Sequence, residues 1–330
     1  MEERFLSVEV SNNDVEHESR LRPKDFSEYV GQKKVVENID LMVRSANKRN
    51  ASMDHVLLSG PPGLGKTSLA MIIAKSLGSE LHVISGPAIE KKGDLAAVMT
   101  NIQPKDVLFI DEIHRMHISV EEILYSAMED FRLDILIGQG AGARTMQIDL
   151  VPFTLIGATT RSGLLSNPLR DRFMAHLHFD FYSPKELSQI LANNAQKIDV
   201  KLGHDSKLEI ARRSRGTPRI ANRILRRVRD YALVEEHDQV ELADVDKALS
   251  LLDIDHLGLD SMDRKILSVI KDYYSCGPVG IEALSATLGE DKQTIEEVHE
   301  PFLLKEGLLL RTPRGRVLSE KAITHISSFS

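Results

Sequence analysis

The sequence has no tryptophan and a single cysteine, and phenylalanine and tyrosine together make up only 5% of its 330 residues. The lone thiol, Cys276, excludes an internal disulfide and a zinc site built from thiolates alone, and it is consistent with a reducing compartment. No apolar run approaches the ~18 residues that span a bilayer, and the N-terminus lacks the features of a secretory signal. We therefore expect a cytoplasmic protein without a membrane partner.

Positive charge is also in short supply. The chain has 42 Lys and Arg against 49 Asp and Glu, a net charge of −7, which taken alone argues against a nucleic-acid partner. Its 42% hydrophobic and 28% charged residues are ordinary for a folded globular protein. The length predicts two or three domains.

Short aliphatic runs alternate with helical stretches in the first half of the chain, a pattern typical of a parallel sheet covered by helices on both faces. These runs lie at His55–Ser59, Leu81–Ser85, Val107–Ile110 and Phe153–Gly157. A hairpin is predicted near residues 135–150, with Met146, Ile148 and Leu150 on one face.

The periodicity changes twice further along. From Ser183 it is helical to about residue 252, and beyond residue 255 three short helices and a hairpin follow in the order of a winged helix. The third of these helices is predicted at Thr294–Glu300. We predict an α/β domain at 1–182, with 1–20 loosely ordered, an all-helical domain at 183–254 and a winged-helix domain at 255–330.

Residues 60–67, GPPGLGKT, match G-x-x-x-x-G-K-[ST] between a predicted strand and a helix. In such a loop backbone N–H groups surround phosphate oxygens, Lys66 places its charge on the outer phosphates and the Thr67 hydroxyl ligates Mg²⁺. A purely structural glycine turn is the alternative, and the strand-loop-helix context disfavours it.

Acidic or hydroxyl side chains lie at the ends of two of the predicted strands. Asp111 could hold Mg²⁺ through its water shell, and Glu112 could polarise an attacking water. Solvated acids at a strand end are the alternative. Thr160, after another strand, could orient water or the γ-phosphate, or could cap the next turn.

Arginines near two predicted helices could meet phosphate charge. Arg170 and Arg172 flank a turn, from which a planar fork could reach the nucleotide of a neighbouring subunit, although a bare R-x-R more often forms surface ion pairs. Arg219 lies at a helix start after Thr217 and Pro218, within reach of a phosphate. The other arginines of 212–229 fit either a phosphate- or acid-contacting face or a solvated helix surface.

The segment 305–321 carries five basic and two acidic side chains. Arg311, Arg314 and Arg316 flank the turn of the predicted hairpin and would project together towards DNA phosphates or the minor groove. Many winged helices bind protein instead. The histidines, His114 among them, lack companions at metal spacing, and we expect them to be surface or core residues.

Five longer blocks resemble the bacterial RuvB family, AAA+ ATPases that drive branch migration of Holliday junctions in recombination and repair. The blocks are 111–115 (DEIHR), 157–161 (GATTR), 168–173 (PLRDRF), 215–222 (RGTPRIAN) and 311–316 (RTPRGR). The resemblance, from about Leu21 to Arg316, implies an AAA+ P-loop parallel-sheet domain, a helical lid and a DNA-binding winged-helix head. It also implies ATP and Mg²⁺ as cofactors, a homohexamer around duplex DNA, a RuvA-like junction-binding partner and a RuvC-like resolvase.

The resemblance further assigns roles to individual residues. Thr160 would be sensor 1, Arg219 sensor 2, and Arg172 the finger acting across the subunit interface, with Arg170 as a second candidate. Catalysis would rest on these and on Lys66, Asp111 and Glu112. Nucleotide contacts would come from Leu21, Arg22, Tyr29, Val30, Gly60, Gly63, Leu64, Gly65, Lys66, Thr67, Ser68, Glu129, Asp130, Phe131, Arg172, Tyr182, Pro218 and Arg219.

The remaining implied contacts are with macromolecules. The hairpin of Met146, Ile148 and Leu150 would dock the RuvA-like partner, and Arg311 and Arg316 would contact the DNA backbone. Two other functions stay open on the residues alone: an ATP-switched DNA-binding regulator or initiator without motor activity, and a protein remodeller that uses the winged helix as an adaptor site.

Overall fold

The computed structural model describes residues 20–137 and 144–328. The chain divides into two compact units, one formed by residues up to 60 together with 64–180, the other by 61–63 together with residues from 181 onward. Within the described ranges, the structure contains no helix with the length and apolar character needed to cross a membrane.

A parallel sheet forms the centre of the first unit. The strands of this unit are β1 (Val56–Ser59), β2 (Leu81–Ser85), β3 (Val107–Asp111), β4 (Arg132–Ile137), β5 (Arg144–Asp149), β6 (Thr154–Thr159) and β7 (Ala175–His178). Five of them pair in the order β2-β3-β6-β1-β7. All pairings in this sheet are parallel, and β1, β3 and β6 are buried almost throughout, as expected of strands covered on both faces.

The α/β prediction is therefore confirmed, including the four aliphatic strands. The sequence did not predict β7, whose residues Ala175–His178 alternate polar and apolar side chains at the edge of the sheet. The predicted hairpin is present as the antiparallel pair β4 and β5, in which Leu133 faces Ile148.

Helices cover this sheet. They are α1 (Lys33–Arg49), α2 (Lys66–Leu77), α3 (Lys92–Met99), α4 (Ile118–Glu129) and α5 (Asn167–Asp171). Helix α4 buries one apolar stripe at helical spacing, made of Val120, Ile123, Leu124, Ala127 and Met128. These residues belong to the same core cluster as Leu108, Ile110 and Leu155 of the sheet.

The second unit begins with helices α6 (Pro184–Lys197), α7 (His204–Arg213), α8 (Pro218–Val234) and α9 (Leu242–Leu251). Their starts follow from local sequence. Ser183 and Glu186 form a capping box at α6, and the Thr217 hydroxyl accepts the N–H of Ile220 at α8, where Pro218 occupies the first turn.

A winged helix completes the second unit. Its elements are α10 (Ser261–Tyr274), α11 (Ile281–Leu288), α12 (Lys292–Thr294), a π-helix (Ile295–His299), α13 (Glu300–Lys305), the antiparallel pair β8 (Leu309–Thr312) and β9 (Gly315–Leu318), and α14 (Glu320–Ser327). Its core includes Leu259, Ile266, Leu284, Leu303 and Leu318. The domain boundaries at 182/183 and 254/255 stay predictions.

The third helix of this winged helix is longer than predicted. The sequence pattern predicts Thr294–Glu300, whereas helical structure runs from Lys292 to Lys305 with a wide π turn in the middle. Pro301 has no N–H to donate to the preceding turn, which explains why regular α-helical bonding is interrupted there.

Candidate nucleotide site and winged-helix surface

The glycine-rich loop connects β1 to α2. Gly60, Gly63 and Gly65 have φ angles of 135°, 77° and 97°, a region that favours glycine. A Cβ on Gly60 would lie 2.5 Å from the carbonyl oxygen of Phe179. Lys66 is buried, and its Nζ donates to the carbonyl of Gly60 at 2.8 Å. The loop therefore has the glycine-dependent backbone that a phosphate cradle requires.

The strand order brings the predicted polar residues to one edge of the sheet. Strand β6 lies between β1 and β3, with Ala158 opposite Leu58 and Gly157 opposite Ile110. Because all three strands are parallel, the loop after β1, the acids at the end of β3 and the threonines at the end of β6 leave the same edge, where ligands bind in sheets of this kind.

Glu112 is the centre of the hydrogen bonds at this edge. Its Oε2 accepts from the Thr160 backbone N–H at 3.3 Å and from the Thr160 hydroxyl at 3.1 Å, and it lies 3.2 Å from His114 Nδ1. Burial raises the pKa of Glu112, but hydrogen bonds from His114 and Thr160 more than offset it, so the pKa lies below its ordinary value. The carboxylate is therefore kept ionised.

His114 is a site residue that the sequence did not single out. Its side chain is 2% exposed, and Nδ1 lies 3.0 Å from the Thr159 hydroxyl as well as close to Glu112. Nε2 is buried without a hydrogen-bond partner among the described residues. An Nδ1–H tautomer, which donates towards Glu112 and leaves only a lone pair at Nε2, fits these surroundings best. The available signal was its position three residues after Asp111.

Three consecutive residues predicted to bind ATP lie at the end of α4, and each has another partner here. Glu129 accepts from Arg172 Nη2 at 2.9 Å. Asp130 pairs with Arg132 at 3.1 Å. The Phe131 ring packs edge-on against Phe153 at a centroid distance of 5.9 Å. The nucleotide contacts of these three residues stay predictions.

Four of the predicted nucleotide contacts, Leu21, Arg22, Tyr29 and Val30, precede α1. Tyr29 donates its hydroxyl to the carbonyl of Gly65 at 3.3 Å, which ties it to the loop. Leu21 is buried, and Arg22 Nη1 lies 3.2 Å from the sulfur of Met71. Val30 is half-buried.

In the second unit, the start of α8 lies close to Gly63, a residue of the glycine-rich loop that belongs to this unit. The Arg219 N–H lies 3.4 Å from the carbonyl of Gly63, and a Cβ on Gly63 would lie 3.0 Å from the Arg219 Cβ. The Tyr182 N–H donates to the carbonyl of Gly216 at 2.9 Å. The three predicted residues Tyr182, Pro218 and Arg219 thus belong to one local structure.

Most other arginines of 212–229 form ion pairs within the second unit. Arg213 pairs with Glu209 and Asp246, and Arg229 with Asp230. Arg215, 6% exposed, is the most buried of the set. It donates to Asp260 at 3.0 Å, lies 3.0 Å from Asp263, and stacks over the Phe302 ring at 4.8 Å.

The winged-helix arginines do not project together as predicted. Arg316 is 5% exposed, and its guanidinium donates to Glu300 at 2.5 Å and to Glu296 at 2.9 Å. Burial lowers the pKa of Arg316 but the two carboxylates more than offset it, so the group stays charged. Two carboxylates therefore occupy the Arg316 guanidinium in this structure, and its contact with DNA stays a prediction. Arg311 is exposed, although it shares Glu296 at 3.1 Å.

Arg314 is the remaining member of the group. It lies exposed at the turn between β8 and β9, and its guanidinium has no hydrogen bond or ion pair with any residue in the described ranges. Among the three predicted DNA-binding arginines, Arg314 is therefore the one whose donors are fully available.

The apolar residues of the β4–β5 hairpin, which are predicted to dock the RuvA-like partner, are only partly exposed. Met146 is 46% exposed, whereas Ile148 and Leu150 are partly buried against the core of the first unit. Residues 138–143 of the hairpin lie outside the described ranges. Of the predicted apolar face, Met146 is thus the side chain that a partner could cover.

Comparisons with known proteins agree with this architecture. Three family models match: "Holliday junction DNA helicase RuvB P-loop domain" at 21–179, "RuvB AAA lid domain" at 182–255 and "RuvB C-terminal winged helix domain" at 256–327.

Two relatives are described as Holliday junction branch migration complex subunit RuvB. That of Myxococcus xanthus is 56% identical over 316 residues, covering 96% of this chain and 92% of the relative. That of Gluconobacter oxydans is 54% identical over 309 residues, covering 94% and 88%. A solved structure of the Thermotoga maritima RuvB branch migration motor matches with a TM-score of 0.87 and 50% identity, covering 93% of this chain and 98% of that one. The chain belongs to the RuvB family of AAA+ P-loop proteins.

Proposed function

We propose that the protein is an ATP-hydrolysing motor that moves duplex DNA and so drives branch migration of Holliday junctions. It would act as a homohexamer with a RuvA-like junction-binding protein, in the pathway of a RuvC-like resolvase. The observation that carries the ATPase part is the ionised Glu112 carboxylate, bonded to Thr160 at the same sheet edge as the glycine-rich loop. The names of the two bacterial relatives support the DNA part.

The residues at this edge fit ATP with Mg²⁺. The positive φ angles of the loop glycines suit a backbone that surrounds phosphate oxygens, and Lys66 would provide the charge for the outer phosphates. The Thr67 hydroxyl and the Asp111 carboxylate, directly or through water, are the hard oxygen ligands that Mg²⁺ prefers. When bound, the ion would neutralise charge on the phosphates.

Glu112 is the proposed general base. Its carboxylate would accept the proton of the water that attacks the γ-phosphate, because it is ionised at neutral pH and is half-buried rather than fully solvated. In this structure Thr160 donates its hydroxyl to Glu112. A γ-phosphate oxygen is a competing acceptor for the same hydroxyl, so Thr160 could respond to whether ATP is present.

Charge on the transferring phosphoryl group would be met from two sides. Arg219, next to Gly63 in the second unit, would act on the nucleotide of its own subunit. Arg172 would act on the nucleotide of a neighbouring subunit, where its planar fork suits phosphate oxygens. DNA would be gripped mainly through its backbone by the exposed Arg311 and Arg314.

The test combines DNA-stimulated ATPase with migration of a four-way junction in the presence of the RuvA-like partner. We expect both activities for the wild type and, for Glu112→Gln, ATP binding with turnover reduced on the order of 10²-fold. Junction binding without migration would favour the regulator, and ATPase stimulated by protein but not DNA would favour the remodeller. Hexameric rings on duplex DNA, seen by electron microscopy, would test the assembly.

A further inference from the structure

The short helix α5 contains Arg170 and is followed directly by Arg172, and its start is bonded to α4. Ser166, the residue before α5, accepts the N–H of Leu169 at 3.3 Å. The Ser166 hydroxyl in turn bonds to the buried Glu121 carboxylate and to the Tyr125 hydroxyl, the latter at 3.0 Å. Two side chains of α4 thus fix the beginning of α5.

The same α4 face also holds the residue that follows α5. The guanidinium carbon of Arg172 lies 4.6 Å from the centre of the Tyr125 ring. Its Nη2 donates to Glu129 at 2.9 Å and its Nη1 to the carbonyl of Pro168 at 2.7 Å. Tyr125 is therefore the side chain that contacts both ends of α5, through its hydroxyl at one end and its ring face at the other.

These contacts leave part of the Arg172 fork unused. A guanidinium has five N–H donors, and the hydrogen bonds of Arg172 to described residues take one from each terminal nitrogen. Nε is buried and has no partner among the described residues. The second N–H of each terminal nitrogen remains for an acceptor with several oxygens. By contrast, the Arg170 guanidinium forms no hydrogen bond or ion pair with a residue in the described ranges, where the side-chain contact to Arg170 is at its backbone carbonyl, 2.8 Å from His176 Nε2.

We infer that Tyr125 is a positioning residue for Arg172. Its ring fixes the plane of the guanidinium while its hydroxyl fixes the start of α5, so that the fork is already oriented when a neighbouring copy brings the phosphates of its ATP. Glu129, one turn after Tyr125 on α4, accepts from the same guanidinium. This inference rests on the proposed function, in which Arg172 acts across a subunit interface, and it selects Arg172 over Arg170.

The first experiment compares Tyr125→Leu with Tyr125→Phe. Leu removes the aromatic face, whereas Phe keeps it and removes only the hydroxyl. We expect Tyr125→Leu to lower kcat on the order of tenfold with KM for ATP within about threefold, because a misplaced group costs rate more than ground-state binding. The loss for Tyr125→Phe should be clearly smaller. Equal losses, or wild-type turnover by Tyr125→Leu, would overturn the inference.

The second experiment mixes subunits and separates this inference from the proposed function. Lys66→Ala subunits, which lack a working nucleotide site but keep their finger, are mixed with Arg172→Ala subunits as the reference and with Tyr125→Leu subunits as the test. We expect ATPase to be partly restored in both mixtures. Restoration also shows that Tyr125→Leu is folded and keeps its own nucleotide site.

The outcomes are distinguishable. If the reference mixture is restored and the Tyr125→Leu mixture is not, Tyr125 does not act through the finger and the inference fails while the trans role of Arg172 stands. If the reference itself fails, the proposed trans role falls, and the inference with it. Should Tyr125→Leu lose its helical circular dichroism, Tyr125→Gln, which keeps a polar group but no ring, is tested by the same criteria.

Discussion

Two arginines from short motif blocks, Arg172 beside α5 and Arg316 in β9, have opposite surroundings. Arg172 keeps N–H donors without a partner among the described residues, and it pairs with the carboxylate of Glu129, whose side chain is 56% exposed. Arg316 is paired with two carboxylates, one of them, Glu300, only 1% exposed. Residue type and neighbouring motif predict a functional arginine equally well in both places. Burial and the number of acceptors distinguish a group available to a ligand from one that is part of the fold.

The largest expected effect concerns Arg172. Arg172→Ala should lower the ATPase kcat by about 10³-fold, the lower end of what an arginine finger contributes. It should change the free energy of unfolding by no more than about 1 kcal/mol, because its ion pair is partly exposed. Steady-state ATPase assays and urea unfolding measure the two quantities. A large loss of stability with little loss of rate would instead show that Arg172, like Arg316, is mainly part of the fold.

Arg316 should give the opposite result. Arg316→Ala leaves the buried Glu300 carboxylate unpaired and should lower the free energy of unfolding by about 3–5 kcal/mol. Denaturation followed by circular dichroism measures this, with Arg314→Ala as the matched control, expected within about 0.5 kcal/mol of wild type. If the two variants are equally stable, the Arg316 ion pairs contribute nothing to the fold, and the predicted contact of Arg316 with DNA gains support.

Arg314 tests whether the winged helix meets the DNA backbone through its exposed turn. Arg314→Ala should weaken duplex binding by a similar factor for unrelated sequences, and removing one phosphate-binding side chain should reduce the slope of log affinity against log salt by about one. Fluorescence anisotropy over a salt series measures the slope. An unchanged slope would place the phosphate contacts elsewhere, with Arg311→Ala as the next variant to compare.

The smallest effect is the pH dependence of Glu112. Its folded pKa is lowered from the ordinary 4.5, so the ionised form contributes stability that is present above pH 4.5 and is lost as pH falls through the folded pKa. The difference in unfolding free energy between wild type and Glu112→Gln should therefore be constant from pH 7 to about 5 and shrink below. Urea titrations at several pH values measure this difference in unfolding free energy. A difference that grows on acidification would contradict the prediction.

Local patterns carry much of the fold and of the site. The aliphatic strands, the glycine-rich loop and the apolar stripe of α4 were predictable because each depends on residues close together in the chain. The polar ends of β3 and β6 were predictable as candidates, but their adjacency depends on strand order, which the sequence does not contain. The hydrogen bond from Thr160 to Glu112 exists because β3 and β6 are neighbours in the sheet.

The features that the sequence did not predict depend on partners distant along the chain. Arg316 was predicted to be an available basic residue because its partner Glu300 lies 16 positions earlier in the chain, and the sequence does not show that the two side chains pair. Tyr125 looked like an ordinary helix residue because its role depends on Ser166 and Arg172, about 40 positions away. Edge strand β7 was not predicted because its alternating residues give no continuous apolar run.

The cluster around Arg215 has a consequence for how the second unit unfolds. Arg215 precedes α8, yet its partners Asp260 and Asp263 lie at the start of α10 and its stacking partner Phe302 lies on α13. Asp263 is completely buried, so separating the winged helix from the preceding helices would leave its carboxylate without the guanidinium that compensates its charge. Calorimetry should therefore show the lid helices and the winged helix melting cooperatively, in a single heat-absorption peak.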